Sequence, residues 1–366
     1  MKILLAGGGS GGPVTPVLAV AQEIKKFKPR SEFLFIGTKG GMEQKLVSDF
    51  GIPFRAMPAA KFRRYFSLKN LFVPLVFIAS LISAWRLVNS FQPDAVFSAG
   101  GFVAVPICWI AKLHKAKIII HQQDVRISLT NKLIAPIADI ITTAFEYSAK
   151  NFYVGSGLFA KNPKNRAEWV GNPFRSEFAK NAAPDRKVLN LHDKLPLLLI
   201  LGGATGAVQI NDVIRACLPE LLKSHQVVHQ TGTGKSIDFI HPDYHQYELI
   251  TPFDKYATAL RLADIVIARG GLSTITELSA LGKIALIVPM FGTHQEENAT
   301  ILRHTVSAVV LDEREFNPVD LPNIVNSLKF NPQRQKLLSE NISRLMPKDA
   351  AARLAKLIIK TVNGTR

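Results

Sequence analysis

The chain has 366 residues, of which 47% are hydrophobic and 20% are charged. This length fits two domains of ordinary size, and this composition excludes an intrinsically disordered chain. The formal net charge of +17 indicates an acidic partner, such as a nucleic acid, an anionic membrane or an acidic substrate. Because the sequence has no zinc-finger spacing, basic leucine-zipper region or RNA-binding aromatic motif, we expect no nucleic-acid partner.

The N-terminal segment Met1–Ala6 is followed at once by glycines. It resembles a first strand and lacks the longer apolar stretch and the cleavage site of a signal peptide, so we expect the protein to stay in the cytoplasm. Cys108 and Cys217 are the only cysteines, and both lie in apolar or helical surroundings. We therefore expect neither a disulfide framework nor a cysteine-based metal site.

Short apolar strands alternate with helical segments through the first half of the chain. Strands are predicted at residues 3–6, 32–36, 95–98, 117–121 and 140–143. Helices are predicted to begin near Pro16, Met42, Leu68, Val105 and Leu129. This alternation predicts a parallel sheet covered by helices.

The same pattern begins again after Gly171-Asn172-Pro173 and a polar stretch at 180–187. Strands are predicted at residues 197–201, 227–230, 247–250, 265–268 and 285–288. A closing helix at about 348–362 has apolar residues at helical spacing. The pattern predicts an α/β protein with two Rossmann-like, doubly wound domains and a ligand in the cleft between them, at the carboxyl ends of both sheets.

A glycine loop follows the first strand of each predicted domain. Residues 7–13 read Gly-Gly-Gly-Ser-Gly-Gly-Pro, and residues 202–207 read Gly-Gly-Ala-Thr-Gly-Ala, with Asn211 one helical turn further on. Backbone N–H groups in such strand-to-helix turns can face an anion, although the first loop is alternatively a tight turn without a ligand. Residues 231–236 resemble a nucleotide-triphosphate loop, but His229 occupies the required first glycine position, so we interpret them as a polar turn.

Residues 269–277, Arg-Gly-Gly-Leu-Ser-Thr-Ile-Thr-Glu, also read as a strand end, a glycine turn and a helix N-terminus. A diphosphate is expected against the amides near Ser273 and Thr274, and Glu277 can accept two hydrogen bonds from a ribose. Alternatively, Glu277 only stabilises the helix through its dipole. Residues 294–298, His-Gln-Glu-Glu-Asn, open another helix at the same rim, where amide and imidazole groups suit sugar hydroxyls.

Taken in order, these motifs resemble the undecaprenyl-pyrophosphoryl-muramoyl-pentapeptide N-acetylglucosaminyltransferases, the MurG family within glycosyltransferase family 28. The resemblance covers nearly the whole chain. In the N-terminal half it rests on the first glycine loop, Ala99-Gly100-Gly101-Phe102, His121-Gln122-Gln123-Asp124, Leu129-Thr130-Asn131-Lys132 and Gly171-Asn172-Pro173-Phe174-Arg175. In the C-terminal half it rests on the second glycine loop, His229-Gln230-Thr231-Gly232, residues 269–277 and residues 294–298.

The resemblance implies a GT-B glycosyltransferase. Residues 1–175 would bind the acceptor and the membrane, residues 186–346 would bind the UDP-sugar donor, and a helix at about 347–366 would pack back on the first domain. The implied reaction is inverting transfer of N-acetylglucosamine from UDP-GlcNAc to the muramoyl-peptide of a polyprenyl-diphosphate lipid, lipid I to lipid II, in peptidoglycan synthesis. This implies a role in cell-wall biogenesis, cell shape and cell division, at the cytoplasmic side of the inner membrane.

The resemblance also assigns residues by position. Glu277 would hold the ribose, and the backbone around Phe253 would hold the uracil. The diphosphate would be bound by Ser273, Thr274 and Arg175, and the transferred sugar by Gln295, His294 and Asn298. The implied donor-binding residues are Arg175, Ala204, Asn211, Phe253, Ser273, Thr274, Glu277, His294, Gln295 and Asn298. The implied acceptor-binding residues are Ser10, Gly11, Gly12, Gly100, Gly101, Phe102, Gln122, Asp124 and Asn131.

The sequence departs from the family pattern mainly on the acceptor side. Pro13 stands where the family has a histidine, Gln122 replaces a glutamate, and Asp124 replaces an asparagine; in the second glycine loop Ala204 replaces a serine. Two alternatives follow from these departures. One is a related UDP-sugar transferase with another lipid acceptor, and the other is a catalytically weak homologue.

Inverting transfer needs a base for the acceptor hydroxyl and positive potential for the departing UDP. Asp124 is the candidate base, with a helix N-cap or a partner for Arg126 as its structural alternatives. His121 is the rival base, although a histidine at a strand end is more often structural. Because no Asp-x-Asp pair occurs and helix N-termini with Arg175 can neutralise the diphosphate, we predict no tightly bound metal or other cofactor, UDP-GlcNAc being a substrate.

Residues 61–69 mix cations with aromatic side chains and lead into an apolar run at 71–83 that contains Pro74. The run is shorter than the roughly 20 residues that span a bilayer, so it predicts an interfacial patch on an anionic membrane. A core helix with a solvated basic start is the alternative. The predicted membrane-contacting residues are Phe62, Arg63, Arg64, Phe66, Lys69, Leu71 and Phe72.

Overall fold

The computed structural model describes residues 1–8, 12–41, 43–59, 73–152, 167–174, 183–192, 195–203 and 206–364. The chain divides into two compact units, Met1–Arg175 with Pro347–Arg366, and Ser176–Met346. Each unit is built around one parallel sheet with helices beside it. The predicted fold class is confirmed, because both sheets have the doubly wound order.

In the first unit, seven strands form a parallel sheet in the order β3-β2-β1-β4-β5-β6-β7. The strands are β1 Lys2–Ala6, β2 Glu32–Thr38, β3 Phe54–Met57, β4 Ala95–Ser98, β5 Lys117–Gln122, β6 Ile140–Thr143 and β7 Glu168–Trp169. The helices are α1 Val14–Phe27, α2 Glu43–Ser48, α3 Val73–Phe91, α4 Ala104–Leu113, α5 Leu129–Ile134 and α6 Glu146–Lys150.

In the second unit, six strands form a parallel sheet in the order β10-β9-β8-β11-β12-β13. The strands are β8 Leu197–Leu201, β9 Gln226–Gln230, β10 Tyr244–Tyr247, β11 Ile265–Ala268, β12 Ile284–Ile287 and β13 Val309–Val310. The helices are α7 Val208–Leu221, α8 Phe253–Leu262, α9 Leu272–Leu281, α10 Gln295–His304, α11 Asp320–Lys329 and α12 Pro332–Arg344.

The last helix, α13 Ala350–Asn363, belongs to the first unit. Its Leu354 and Ile358 are fully buried in the same core as Val17 and Leu18 of α1. Helical spacing brings these apolar side chains to one face, so the C-terminal segment completes the helical layer on this side of the first sheet.

The central strands are apolar on both faces because helices cover both sides of a parallel sheet. All five residues of β8 are buried, and so are all four of β11. Strand order reverses between β1 and β4 in the first sheet and between β8 and β11 in the second. In doubly wound folds ligands bind beyond the carboxyl ends of the strands at this switch point. The described residues of both glycine loops, which follow β1 and β8, lie there.

Three strands were not predicted, and one prediction was wrong. Strands β3, β7 and β13 are edge strands. Strands β3 and β7 have no continuous apolar run, and β13 has only two residues, both partly exposed. The strand predicted at 247–250 is found at Tyr244–Tyr247, where polar side chains suit a half-exposed edge strand. The helix start predicted near Leu68 lies outside the described residues, and helix α3 is described from Val73.

Candidate active site

The loops after β1 and β4 touch at the switch point of the first sheet. A Cβ at Gly101 would lie 2.7 Å from the backbone nitrogen of Gly8, and Gly101 has a φ of +102°, so only glycine fits there. The hydroxyl of Ser98 accepts a hydrogen bond from the Gly100 nitrogen at 3.0 Å. Of the predicted acceptor residues in these loops, Ser10 and Gly11 lie outside the described residues.

A buried carboxylate that the sequence motifs did not predict supports the first glycine loop. Glu43 of α2 is 1% exposed, and its Oε1 accepts a hydrogen bond from the Thr38 nitrogen at 2.8 Å and another from the Thr38 hydroxyl. A Cβ on Gly8 would lie 2.8 Å from the same oxygen. Glu43 thus stands at the carboxyl end of β2, although that strand itself ends without an acidic residue.

Gln122 organises the loop after β5. Its Nε2 donates to the carbonyl oxygens of Asp124 at 2.8 Å and of Arg126 at 2.9 Å. Its Oε1 accepts from the Ser128 nitrogen at 3.2 Å and from Asn131 Nδ2 at 2.7 Å. A carboxylate cannot donate to two carbonyl groups, so the amide at this position has a structural role of its own. Gln122 and Asn131 are both buried, which makes them loop-organising residues in this structure.

Asp124 lies in the loop that Gln122 organises, just beyond β5, and is partly exposed. The helix that follows, α5, is capped by Ser128, whose hydroxyl accepts a hydrogen bond from the Asn131 nitrogen at 3.2 Å. The helix N-cap alternative for Asp124 is therefore wrong, because Ser128 occupies that position. The candidate base stands at the carboxyl edge of the sheet, where its assignment stays a prediction.

His121 is enclosed in the first unit. It is fully buried, with Nδ1 3.0 Å from Thr142 Oγ1 and Nε2 3.2 Å from Asn172 Oδ1. Burial lowers the pKa of His121 to about 4, against a smaller opposite effect of the hydrogen bond to Asn172. A buried imidazole with both nitrogens engaged is poorly placed to take a proton from a bound substrate, so the geometry favours the structural alternative.

Gln123 and Asn172 connect loops that lie far apart in sequence. Gln123 Nε2 donates to the Gly12 carbonyl oxygen at 3.2 Å and lies 3.5 Å from Asn172 Oδ1. Both side chains are buried. They tie the first glycine loop to the segment after β7. The motifs contain both residues, but spacing alone did not indicate this supporting role.

The N-terminus of α9 is the clearest anion-binding geometry in the second unit. The helix begins at Leu272, and its N-cap, Gly271, provides no side-chain cap. Ser273 and Thr274 are partly exposed in the first turn. First-turn amides carry the positive end of the helix dipole and are not satisfied within the helix, so they can bind a phosphate group.

A partly buried ion pair supports this helix start. Arg269 Nη2 lies 2.6 Å from Glu313 Oε1, and both side chains are 11% exposed. Glu313 Oε2 also accepts a hydrogen bond from the Phe291 nitrogen at 2.6 Å. The pair thereby joins the glycine turn after β11 to the loop after β12. Arg269 lies in one of the sequence motifs, whereas Glu313, from the segment after β13, belongs to none of them.

The three predicted sugar-contacting residues of α10 have different environments. His294 is exposed at the helix start, and Gln295 Oε1 accepts a hydrogen bond from the Met290 nitrogen at 3.1 Å. Asn298 is fully buried, and its Nδ2 donates to the Gly270 carbonyl oxygen at 3.2 Å. Asn298 therefore supports the glycine turn in this structure, and its direct contact with a sugar stays a prediction.

The second glycine loop packs tightly on the turn that follows β9. A Cβ on Gly206 would lie 2.1 Å from the Thr231 carbonyl oxygen. The buried Asn211 donates to the same oxygen at 2.9 Å and bonds His229 Nε2 through its Oδ1 at 3.1 Å. Asn211 is thus a supporting residue inside the unit rather than one that faces outward. Ala204 and Arg175, the other donor candidates near the loops, lie outside the described residues.

Glu277 lies one turn into α9 and is partly exposed. Its Oε2 accepts a hydrogen bond from the Tyr256 hydroxyl of α8 at 2.7 Å. Phe253, at the start of α8, has its ring centroid 6.4 Å from that of Tyr256. The structure therefore brings the predicted ribose-binding carboxylate close to the predicted uracil-binding segment. Tyr256 was not predicted, because it belongs to no motif.

Comparison with known proteins identifies the family. Residues 3–143 match the glycosyltransferase family 28 N-terminal domain, and residues 197–355 match its C-terminal domain. A relative from Lachnospira eligens is 35% identical over 364 residues, which are 98% of each chain. The chain belongs to glycosyltransferase family 28. The relative is a UDP-N-acetylglucosamine–N-acetylmuramyl-(pentapeptide) pyrophosphoryl-undecaprenol N-acetylglucosamine transferase.

Solved structures show the same fold. Acinetobacter baumannii MurG superimposes with a TM-score of 0.75 at 23% identity, covering 98% of this chain and 99% of that one. A UDP-GlcNAc 2-epimerase from Neisseria meningitidis, solved with UDP-GlcNAc bound, has a TM-score of 0.70 at 14% identity, with 100% of each chain covered. Because an epimerase shares the GT-B fold of this family 28 member, the fold alone does not select the reaction.

Among the described residues of this family 28 glycosyltransferase, no cluster of three or more histidine, cysteine or acidic side chains forms a metal site. Positive potential at the candidate diphosphate site comes instead from the N-terminus of α9. The expectation that catalysis needs no tightly bound metal stays a prediction.

Three buried histidines predict acid sensitivity of this family 28 enzyme. Burial is the main cause that lowers the pKa of His121 and His225 to about 4 and that of His229 to about 3. The unfolded chain takes up these protons near pH 6.5, so folding stability falls as the pH drops below that value towards the folded-state pKa. We expect each histidine to cost about 2 kcal/mol between pH 7 and pH 5.

Thermal denaturation at pH 7, 6 and 5 measures this loss. The variant His304→Gln is the control, because His304 is exposed and its replacement should leave the loss unchanged. A melting temperature that does not change between pH 7 and pH 5 would contradict the neutral, buried state of these side chains.

Proposed function

We propose that this chain transfers N-acetylglucosamine from UDP-GlcNAc to the muramoyl-peptide of a polyprenyl-diphosphate lipid, with inversion, in peptidoglycan synthesis. The main support is the nearly full-length similarity to a transferase of that name, at 35% identity. The geometry of the second unit is compatible with a UDP-sugar donor. This reaction places the protein in cell-wall biogenesis and thereby in cell shape and division.

In this proposal the second unit binds the donor. The amides at the start of α9, with Ser273 and Thr274, hold the diphosphate, and Arg175 adds a positive charge. Glu277 accepts hydrogen bonds from the ribose, and the backbone at Phe253 contacts the uracil. His294 and Gln295 lie beside the same glycine turn and contact the sugar. A different structural element thus contacts each part of the donor.

The first unit binds the acceptor and provides the base. A base takes the proton from the acceptor hydroxyl while its oxygen forms the bond to the anomeric carbon. The bond between that carbon and the UDP oxygen breaks, and its electron pair leaves with the diphosphate, which the helix N-terminus stabilises. Asp124 is the proposed base because it is a partly exposed carboxylate at the carboxyl edge of the first sheet.

Acceptor specificity tests the proposal against its two alternatives. Purified protein is incubated with radiolabelled UDP-GlcNAc and either the muramoyl-peptide lipid or diacylglycerol. We expect label in the muramoyl lipid alone. Label in diacylglycerol alone would show a related transferase with another acceptor. Tight binding of the donor without any labelled product at saturating muramoyl lipid would show a catalytically weak homologue.

We further propose that the protein binds peripherally to the cytoplasmic side of the inner membrane. Helix α3 exposes four large apolar side chains, Leu75, Ile78, Ile82 and Trp85, each at least half exposed. Their spacing places them on one face of the helix. The predicted membrane residues at 62–72 lie outside the described residues but lead directly into this helix.

The apolar surface continues on neighbouring helices. Trp109 of α4 packs edge-on against Phe77 of α3, and its indole nitrogen donates to the Leu133 carbonyl oxygen of α5 at 3.2 Å. Leu113, Leu129 and Leu133 are also exposed. A contiguous exposed apolar patch is unusual on a soluble monomer, and tryptophan is enriched at membrane interfaces. This patch supports an interfacial contact.

By length and composition alone, α3 is apolar enough to cross a membrane, and it is the one described helix that meets this criterion. Its other face is packed into the first unit, where Ala84 and Val88 are fully buried. The buried Ser80 bonds the Pro58 carbonyl oxygen at 2.9 Å. Removing the helix from this core would expose those groups, so we propose that α3 lies on the membrane rather than through it.

Charge substitution on α3 tests this contact. We expect Ile78→Glu with Ile82→Glu to weaken binding to vesicles containing anionic lipid at least about tenfold, because each isoleucine loses roughly 1.5–3 kcal/mol of apolar burial. The control is Ile240→Glu in the second unit, where the isoleucine is 97% exposed. Vesicle sedimentation measures binding, and equal sedimentation of the α3 variant and the control would contradict the proposal.

The same vesicles test the basic segment that precedes α3. Replacing Arg63, Arg64 and Lys69 by glutamine should weaken binding by about 1 kcal/mol per charge, with a smaller effect at high salt. A loss that is insensitive to salt, or no loss at all, would remove these charges from the membrane contact.

A further inference from the structure

Tyr256 and Glu277 connect α8 to α9 in the second unit. The Tyr256 hydroxyl donates to Glu277 Oε2 at 2.7 Å, which is typical of a hydrogen bond between a hydroxyl and a charged oxygen. Tyr256 is the fourth residue of α8, and Glu277 is the sixth of α9. The bond thus fixes the carboxylate relative to a second helix and not only to its own backbone.

The direction of this hydrogen bond is determined by the phenol. Burial raises the pKa of Tyr256 well above its ordinary value of 10, and the adjacent Glu277 charge raises it further. The phenol therefore keeps its proton under ordinary assay conditions, and the carboxylate is the acceptor. A phenol that stays protonated is a constant donor, so it can hold Glu277 in one orientation.

One hydrogen bond from Tyr256 does not by itself prevent Glu277 from binding a ligand. A carboxylate has two oxygens with about four acceptor positions, and Tyr256 uses one of them. A ribose presents two neighbouring hydroxyl groups, which need two acceptor positions. Glu277 is partly exposed. The orientation of its carboxylate therefore determines how well it accepts hydrogen bonds from both ribose hydroxyls.

We propose that Tyr256 is a positioning residue for the donor nucleotide, which holds Glu277 in the orientation that accepts the two ribose hydroxyls. This inference rests on the proposed function, in which Glu277 binds the ribose. Phe253, whose backbone is the proposed uracil contact, lies three residues before Tyr256 on the same helix. Helix α8 therefore contacts the base directly and acts on the ribose through Tyr256, so that one helix aligns the whole nucleoside.

Tyr256→Phe tests the role, since it removes the hydroxyl and keeps the ring. We expect the dissociation constant for UDP, measured by calorimetry, to rise about tenfold. The KM for UDP-GlcNAc should rise by the same factor, while kcat at saturating donor stays unchanged. The matched control is Tyr247→Phe, which keeps the ring that packs 4.2 Å from Lys255 Nζ. It should bind UDP like the parent.

A nucleotide without the ribose hydroxyls distinguishes positioning of Glu277 by Tyr256 from a purely structural contact between α8 and α9. With 2′,3′-dideoxy-UDP, Tyr256→Phe and the parent should bind equally, because Glu277 has no hydroxyl to meet. Unchanged UDP affinity in Tyr256→Phe would overturn the inference, and so would an equal loss with UDP and with dideoxy-UDP. A parent protein that fails to bind UDP would refute the proposed function itself, which is a different result.

Discussion

Replacement of Asp124 by asparagine is expected to lower turnover about 100- to 10,000-fold, the usual contribution of a general base. Donor affinity should change little, because Asp124 belongs to the first unit, whereas the proposed donor-binding residues other than Arg175 belong to the second. The acidic limb of the pH–rate profile should disappear, since asparagine cannot take up a proton. Steady-state kinetics with the muramoyl lipid and calorimetry with UDP measure the two effects.

The local structure makes Asp124→Asn a discriminating substitution. Gln122 bonds the Asp124 backbone and Ser128 caps α5, so the variant keeps both the loop and the helix start. Asp49→Asn, at an exposed position of the same unit, is the matched control. If Asp124→Asn retains full activity, Asp124 is not the base. Deprotonation assisted by the substrate would then be favoured over the buried His121, and Pro13→His would probe the missing family histidine.

Replacement of Glu277 by alanine is expected to weaken UDP-GlcNAc binding by about 1.5–3 kcal/mol, the usual cost of losing hydrogen bonds to a charged group. This corresponds to a roughly 10- to 150-fold rise in the dissociation constant. The loss of affinity arises because the ribose loses its acceptor. The Tyr256 hydroxyl also loses its partner, but it does so in the free and the bound protein alike. Calorimetry with UDP-GlcNAc measures the effect.

Glu340→Ala is the matched control for this measurement. Glu340 is exposed on α12, and its oxygens lie 3.9 Å from Lys336 and Arg344, which is typical of a weak surface pair. We expect it to bind the donor like the parent. If Glu277→Ala also binds UDP-GlcNAc with unchanged affinity, Glu277 does not belong to the donor site.

The central strands of both sheets were predictable because burial on two faces requires continuous apolar runs. The predicted segments 95–98, 197–201 and 265–268 coincide with β4, β8 and β11. The edge strands were not predictable in the same way. Strand β13 has only two residues, and β10 is largely polar, so their positions depend on pairing with a neighbour rather than on their own composition.

The positions of the site motifs were predictable because they follow strand ends, but the direction of each side chain was not. Gln122, Asn211 and Asn298 stand in ligand-binding motifs, yet all three are buried and bond backbone carbonyl groups. A sequence motif indicates where a polar residue is needed. It does not distinguish a residue that contacts the ligand from one that supports a loop. Glu43 and Tyr256 reach their partners through tertiary packing, which local spacing does not reveal.

The measurement that tests the proposed function most directly is isolation of the reaction product. The protein is incubated with UDP-GlcNAc labelled in the sugar and with the muramoyl-peptide polyprenyl diphosphate, and the lipid product is extracted and examined by NMR. We predict that labelled N-acetylglucosamine is attached to the muramoyl residue with β configuration, inverted from the α configuration of the donor, and that one UDP is released per sugar transferred. Release of UDP with free N-acetylglucosamine only, or an α-linked product, would contradict inverting transfer to this acceptor.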